Sequence, residues 1–409
     1  MLNRLGLVGL VLVLSASLTQ AENWPRFRGT DGTGVSDQKG IPTTWTANDY
    51  EWNIELPGVG HAQPIVWEKK LFATSAIDEG AQRYIFCIDT ETGKQLWTKT
   101  VTLNKSHKHP KSSWASSTPV TDGKLVYFSF ADKETYLILA YTLDGEFSWQ
   151  RDVGEFDSQH GLGVSPILFD GLLIVANDQK GPSSIIALNA ENGKTRWSIE
   201  RKYRKTSYAT PRIVKGKNDD AQLIVVSGAT GVTSLDPLTG RKNWNAGTFP
   251  LRTVASPVYG AGLIIASCGQ GGRYGVKQIA VDVRLNADGA PRIRWTRERL
   301  IPYVPTPIVF NDMLFEWNDE GTVACVDIKT GKELKRARIG GNYSGSPICI
   351  DGKLYGVAED GIVRVVSATP KLNDLGSVDL GDPSHSTPIV AHGRLFLRSY
   401  HRLAALRGK

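Results

Sequence analysis

Closely spaced cysteines are absent from this chain. Cys87, Cys268, Cys325 and Cys349 form no CxxC or CxxCH pattern, which removes zinc ribbons and covalently attached haem from consideration. There is no Gly-x-Ser-x-Gly elbow, no His-Glu-x-x-His and no EF-hand loop, so the corresponding hydrolase, metalloprotease and calcium-sensor readings have no support. No apolar run after Ala21 reaches the roughly 18 residues that a membrane span needs. A dense field of one sign is lacking as well. The net charge is +7, and the basic stretches 105–111, 201–205 and 292–299 are scattered. They read as solvated turns, not as a nucleic-acid footprint.

The first residues do carry a signal. Arg4 precedes an apolar stretch over 5–18 that is too short to span a bilayer, and Thr19-Gln20-Ala21 supplies small residues for cleavage. Residues 1–21 are therefore expected to be a secretory signal. No cysteine follows the stretch, which speaks against a lipid anchor there. The expected mature chain is exported, periplasmic or secreted, and monomeric.

Repetition dominates the remainder. Ala187-Leu188-Asn189-Ala190-Glu191-Asn192-Gly193-Lys194-Thr195-Arg196-Trp197 reads as a strand, a tight glycine turn and a strand closed by tryptophan. The four-residue step from Gly193 to Trp197 recurs as Gly93 to Trp97, Gly145 to Trp149 and Gly240 to Trp244. Trp295 closes a longer unit, and Asn48 to Trp52 repeats the step near the N-terminus. Upstream of each cassette, a Ser, Thr or Gln precedes a proline and an apolar pair. These prolines are Pro64, Pro119, Pro166, Pro211, Pro257, Pro307, Pro347 and Pro388, at intervals from 40 (307 to 347) to 55 (64 to 119) residues. Such a period marks repeat architecture. Each unit is long enough for four short strands, with proline tolerated at the start of the first.

The pattern predicts an all-β fold: a single eight-bladed β-propeller of four-stranded antiparallel blades. The eighth unit lacks an outer strand, and the segment ending in Trp52 is expected to supply it and close the ring, removing exposed sheet edges. Trp52, Trp97, Trp149, Trp197, Trp244 and Trp295 are the expected docking residues between blades. Lys335 stands in the tryptophan position of the sixth unit and the seventh has lost the pattern, so weaker joints are expected there. Cys87 and Cys325 occupy the same small buried slot as Ala187, in different blades, where a disulfide is out of reach.

These cassettes resemble the pyrroloquinoline-quinone-like (PQQ-like) β-propeller repeat, with its small-x-Asp-x-x-x-Gly-x-x-x-Trp docking motif. The resemblance extends to the exported bacterial type, including the propeller of the outer-membrane protein assembly machinery. It implies a propeller over 45–409. Trp24-Pro25-Arg26-Phe27-Arg28-Gly29, running on to Gly34 within a lead-in over 22–44, is similar to the lead-in of exported members and is expected across one face of the ring.

Inner strands line a propeller's channel, so the residues just before each proline should ring one mouth. These candidates are His61, Trp114, His160, Tyr208, Arg252, Tyr303, Tyr343 and His385. Such a set suits a planar or anionic ligand through stacking and hydrogen bonds, or a metal through neutral imidazole. The bland alternative is a water-filled channel capped by these groups. The basic insertion with His107 and His109 reads as a solvated loop, and the glycine-rich 268–275 as a mobile connection.

Three functions follow. The first is a binding or scaffold propeller whose partners are other envelope proteins or a small ligand at the mouth; it needs no cofactor and performs no catalysis. The second, implied by the resemblance alone, is a quinoprotein alcohol or sugar dehydrogenase. Its PQQ would lie over a tryptophan, with calcium held by Glu, Asn and Asp; Trp114, Asn318 and Asp319 are the residues of that type. The third is a carbohydrate- or peptide-binding module using the aromatic mouth.

Overall fold

The computed structural model describes residues 22–202, 205–215, 220–270, 275–284 and 289–409. The expected signal and the centre of the glycine-rich connection lie outside the described residues. Eight antiparallel sheets of four strands follow one another along the chain. Every inner strand starts directly after one of the eight prolines; Ile65–Trp67, Arg212–Lys215 and Ile389–Ala391 are examples. The first blade continues through Lys70–Ile77, Gln82–Asp89 and Gln95–Thr102. Blade eight takes Tyr50–Glu55 as its outer strand against Arg402–Arg407, closing the ring as expected. Blade seven gains a fifth strand, Val35–Ser36, parallel to Ile348–Ile350.

The residue before each proline ties one blade to the next. The backbone N–H groups of Gln63, Thr118, Ser165, Thr210, Ser256, Thr306 and Ser346 each donate to the hydroxyl of the next residue in that series, ending at Thr387, at 2.9–3.3 Å. At the seam between blades eight and one, Gln63 Nε2 donates to Pro388 O at 3.0 Å and Ser386 Oγ to Ala62 O at 3.1 Å. This belt is buried, so each bond also spares a donor that water could not reach.

The tryptophans tie the blades further out. Trp52, Trp97, Trp149, Trp197 and Trp295 donate their indole N–H to carbonyls of the following blade at 2.9–3.1 Å. Each ring lies against that blade's turn glycine; a Cβ on Gly193, whose φ is +69°, would stand 2.6 Å from Trp149. A β-bulge just before the tryptophan, as between the partners of Cys87 and Ile88, sets the indole's direction. Trp244 differs, donating to Gln222 Oε1 of its own blade at 3.0 Å.

The two joints expected to be weak are filled by other means. Between blades six and seven, Trp317 from a second strand packs on Gly356 and meets Tyr343 edge-on at 5.3 Å. Between blades seven and eight, the register position of the tryptophan holds Gly376, and the lead-in occupies the space. Ile41 and Trp45 are buried there, and Tyr355 OH donates to Ile41 O at 3.1 Å. The four cysteines are free and buried. No helix among the described residues is long and apolar enough to cross a membrane.

The belt yields a prediction. Replacing Thr210 with Val keeps the shape but strips the Ser165 N–H of its acceptor, and an orphaned buried donor costs about 1–3 kcal/mol. Denaturant unfolding should show a loss of that size for Thr210→Val and a much smaller one for Thr210→Ser. Equal stability of the two variants would refute the role given to the belt.

Candidate functional site: the axial cavity

Because the belt fixes the inner strands, the residues upstream of it converge on a cavity of about 1260 Å³ along the ring axis. Its floor is the belt together with Phe27 from the lead-in. That segment spans the ring: Trp24 pairs with Val66 in blade one, Pro25 O accepts from Thr121 in blade two, and Gly34 O accepts from Cys349 in blade seven. His61, His160, Tyr208, Arg252, Tyr303, Tyr343 and His385 line the cavity. Trp114 does not. Its indole lies over Gly80, donates to Ser106 O at 2.7 Å, and carries the Lys108 ammonium 4.7 Å above the ring.

The basic insertion, read from sequence as a solvated loop, is instead a strap across the mouth. His109 packs against His160 with ring centroids 4.6 Å apart. Lys111 Nζ pairs with Glu359 Oε1 of blade seven at 2.9 Å, and Lys111 O meets His385 Nδ1 of blade eight at 3.0 Å. Sequence reasoning missed His109, Lys111 and Glu359 because their partners lie one to six blades away. The basic, histidine-bearing composition of the insertion was the available signal.

Two walls face each other. On one, His61 stacks on Tyr400 at 4.9 Å and lies 4.6 Å from His385, whose Nε2 contacts Tyr400 OH at 3.2 Å. On the other, Arg252 Nη1 reaches His160 Nε2 at 2.8 Å and Nη2 donates to Gln159 Oε1 at 3.1 Å. Tyr208 sits edge-on to His160 at 5.6 Å. Burial, and then neighbouring cations such as Arg252, lower the pKa of His160 to about 4. Burial likewise holds His61 well below its ordinary value and lowers His385. These rings are neutral near pH 7.

Two acids that line the cavity, Asp319 and Glu359, are engaged in hydrogen bonds. Asp319 accepts from the N–H groups of Tyr303 and Val304 at 2.7 and 3.0 Å, one on each oxygen, and burial raises its pKa despite them. Burial opposes ionisation of Glu359, but hydrogen bonds from Ser344 and Lys111 outweigh it and lower its pKa. Asn318 Nδ2 donates to Ile301 O and its Oδ1 accepts from Glu320 N. A PQQ and calcium arrangement therefore does not fit these residues. The indole is turned away, the amide and the Asp319 carboxylate are committed to backbone, and among the described residues no three or more His, Cys, Asp or Glu converge to hold a metal.

The histidines predict acid sensitivity. An unfolded histidine titrates near 6.5, so a group depressed in the folded state contributes stability above that pH and loses it as pH falls toward the folded value. The melting temperature should drop between pH 6.5 and about 4, the folded value for His160. His160→Gln should flatten the drop. An unchanged profile in the variant would contradict the assignment. Asp319 shifts the opposite way, which is why the comparison is with the variant and not between pH values alone.

Comparison with known proteins agrees with this geometry. A family model described as "Outer membrane protein assembly factor BamB" matches residues 43–210 and 138–371. The outer membrane protein assembly factor BamB of Bordetella pertussis is 23% identical over 258 residues, 61% of this chain and 55% of that protein. The quinoprotein alcohol dehydrogenase PedH of Pseudomonas putida is 25% identical over 175 residues, 42% of this chain but only 28% of its own length. The chain thus spans about half or less of these curated relatives. The crystal structure of BamB from Moraxella catarrhalis superposes with a TM-score of 0.61 over 87% of this chain and 98% of that one, at 14% identity. With family matches running from residue 43 to residue 371 and eight blades of the corresponding repeat, the chain belongs to the outer membrane protein assembly factor BamB family of PQQ-like propellers.

Proposed function

We propose that this chain is an exported binding propeller of the cell envelope. It presents its axial mouth and rim to a partner protein or a small ligand and performs no covalent chemistry. One observation carries the reading. Two carboxylates that line the cavity, Asp319 and Glu359, serve as anchors for loops and strap. A carboxylate that holds a loop or strap in place is not positioned on a substrate proton, and a general base must lie within hydrogen-bond reach of the proton it removes. The family membership supports a protein-binding role, and the likeness to a quinoprotein alcohol dehydrogenase reflects the shared repeat. The neutral imidazoles and phenols of the cavity are suited to hydrogen bonding and stacking with whatever enters it. Export follows the basic, apolar and small-residue order of 1–21.

The test is reconstitution of the purified chain with PQQ and calcium, followed by dye-linked oxidation of alcohols and aldoses. Background rates and a melting temperature unmoved by excess cofactor are expected, because a ligand that binds only the folded state must raise it. Cofactor-dependent turnover, lost in Asp319→Asn, would replace this reading with the dehydrogenase one. In-cell cross-linking from the strap should then identify the envelope protein that contacts the mouth.

A further inference from the structure

Beyond the cavity, the lead-in brings together three buried arginines that form no salt bridge among the described residues. Arg26, Arg28 and Arg212 are 9%, 1% and 8% exposed. All three converge on the short segment Gly32-Thr33-Gly34. Arg212 Nη1 donates to Gly32 O at 3.1 Å. Arg28 Nη2 donates to Thr33 O at 2.7 Å and to Pro307 O at 2.6 Å, while its Nη1 donates to Thr306 O at 3.0 Å and to Pro347 O at 3.4 Å. A Cβ on Gly32 would stand 3.1 Å from Arg26 Nη2, and one on Gly34 would stand 3.0 Å from Arg28 Cζ. Only glycine fits between these guanidinium groups at positive φ.

The charge of Asp31 favours the cationic form of all three arginines, but it forms a salt bridge with none of them. None of the three arginines forms an ion pair among the described residues. The nearest acid in sequence, Asp31, is exposed and spends one oxygen on the N–H and hydroxyl of Thr33. Among the described residues no acceptor reaches the Arg26 side chain, and the Nε atoms of Arg26, Arg28 and Arg212 are all buried without a partner. Carbonyls absorb part of the Arg28 charge, but nothing comparable serves Arg26. Removing a cation from water costs several kcal/mol unless an opposite charge is close, and three like charges around one turn add repulsion. Burial first, and then the charge on Arg212, pull the pKa of Arg26 down to about 10 and that of Arg28 to about 9.

We infer that the Arg26, Arg28 and Arg212 guanidinium groups form a binding site for a compact inorganic anion, chloride or a tetrahedral oxyanion, at the turn that closes the channel floor. The unpartnered N–H donors supply charge-assisted hydrogen bonds, and guanidinium is the group best matched to oxyanion geometry. Low exposure restricts the occupant to something small. The anion joins the lead-in to blades four, six and seven, because Arg212 belongs to blade four and the Arg28 acceptors to blades six and seven. The floor of the cavity is then set by an ion as well as by backbone contacts.

The test is thermal unfolding of the full chain in sodium gluconate, with chloride or phosphate exchanged for gluconate at constant ionic strength. The expected result is a saturable rise of about 2–4 °C in one of the two. Chloride acting alone identifies a halide site, and phosphate acting at lower concentration identifies an oxyanion site. Arg26→Gln should abolish the rise and, in gluconate, melt at or above the parent, because it removes a like charge. Arg212→Gln should also abolish the rise. Identical melting in all three salts would overturn the inference, as would a rise retained by Arg26→Gln, which would be a general salt effect.

Discussion

A belt of seven amide–hydroxyl hydrogen bonds, closed at its seam by the side chains of Gln63 and Ser386, sits at the centre of this propeller, and the rest is arranged around it. Proline begins each inner strand and donates nothing, so the N–H of the preceding residue must find an acceptor outside its own sheet. The hydroxyl of the next blade supplies one, in seven successive steps. Threonine, serine and glutamine at this place are therefore couplings between units, each contributing little alone, but linked in a ring that cannot open at one point without orphaning a buried donor. Gln63 shows the constraint most clearly. At the seam its longer side chain reaches Pro388 O and also accepts from the Arg28 N–H, joining ring closure to the lead-in.

The tryptophan–glycine contacts form the outer counterpart of that belt, and they are more permissive. Where the indole is missing, Trp317 from another strand or Ile41 and Trp45 from the lead-in fills the joint. An outer joint needs apolar volume, which several side chains provide. The belt needs a donor and an acceptor at fixed separation, which few do. Sequence variation at the rim thus coexists with an inner ring in which every unit carries Ser, Thr or Gln before its proline.

Much of this was legible in the sequence, for a physical reason. Blade number, strand order, closure by Tyr50–Glu55 and most of the docking indoles follow from spacing, because each depends on contacts within a unit or between consecutive units. What was not legible depends on contacts across the ring. The Ser/Thr/Gln-Pro landmark was visible, but not that its hydroxyls bond 40 to 55 residues away in the neighbouring blade. Residues near the mouth divided in the same way. Seven of the eight candidates line the cavity because the inner strands carry them there. Trp114 does not, because the neighbouring insertion bends past it, and spacing cannot report where an insertion goes. His109 and Lys111 were misjudged for the converse reason: their partners belong to blades three, seven and eight.

The hydrogen-bonding capacity left around the axis describes the cavity more closely than the fold does. A propeller axis gathers one side chain from every blade, so it collects polar groups whatever the protein's task. What matters is whether those groups retain unused capacity. Asp319 holds two amides, and Glu359 holds the strap through Lys111. The unused capacity belongs to neutral rings and phenols in the cavity and to guanidinium donors under its floor. Groups of that kind bind and orient, whereas gripping a hard cation calls for several oxygen ligands with free lone pairs. A chain that shares its repeat with dehydrogenases can therefore keep their architecture while its carboxylates hold the loops in place.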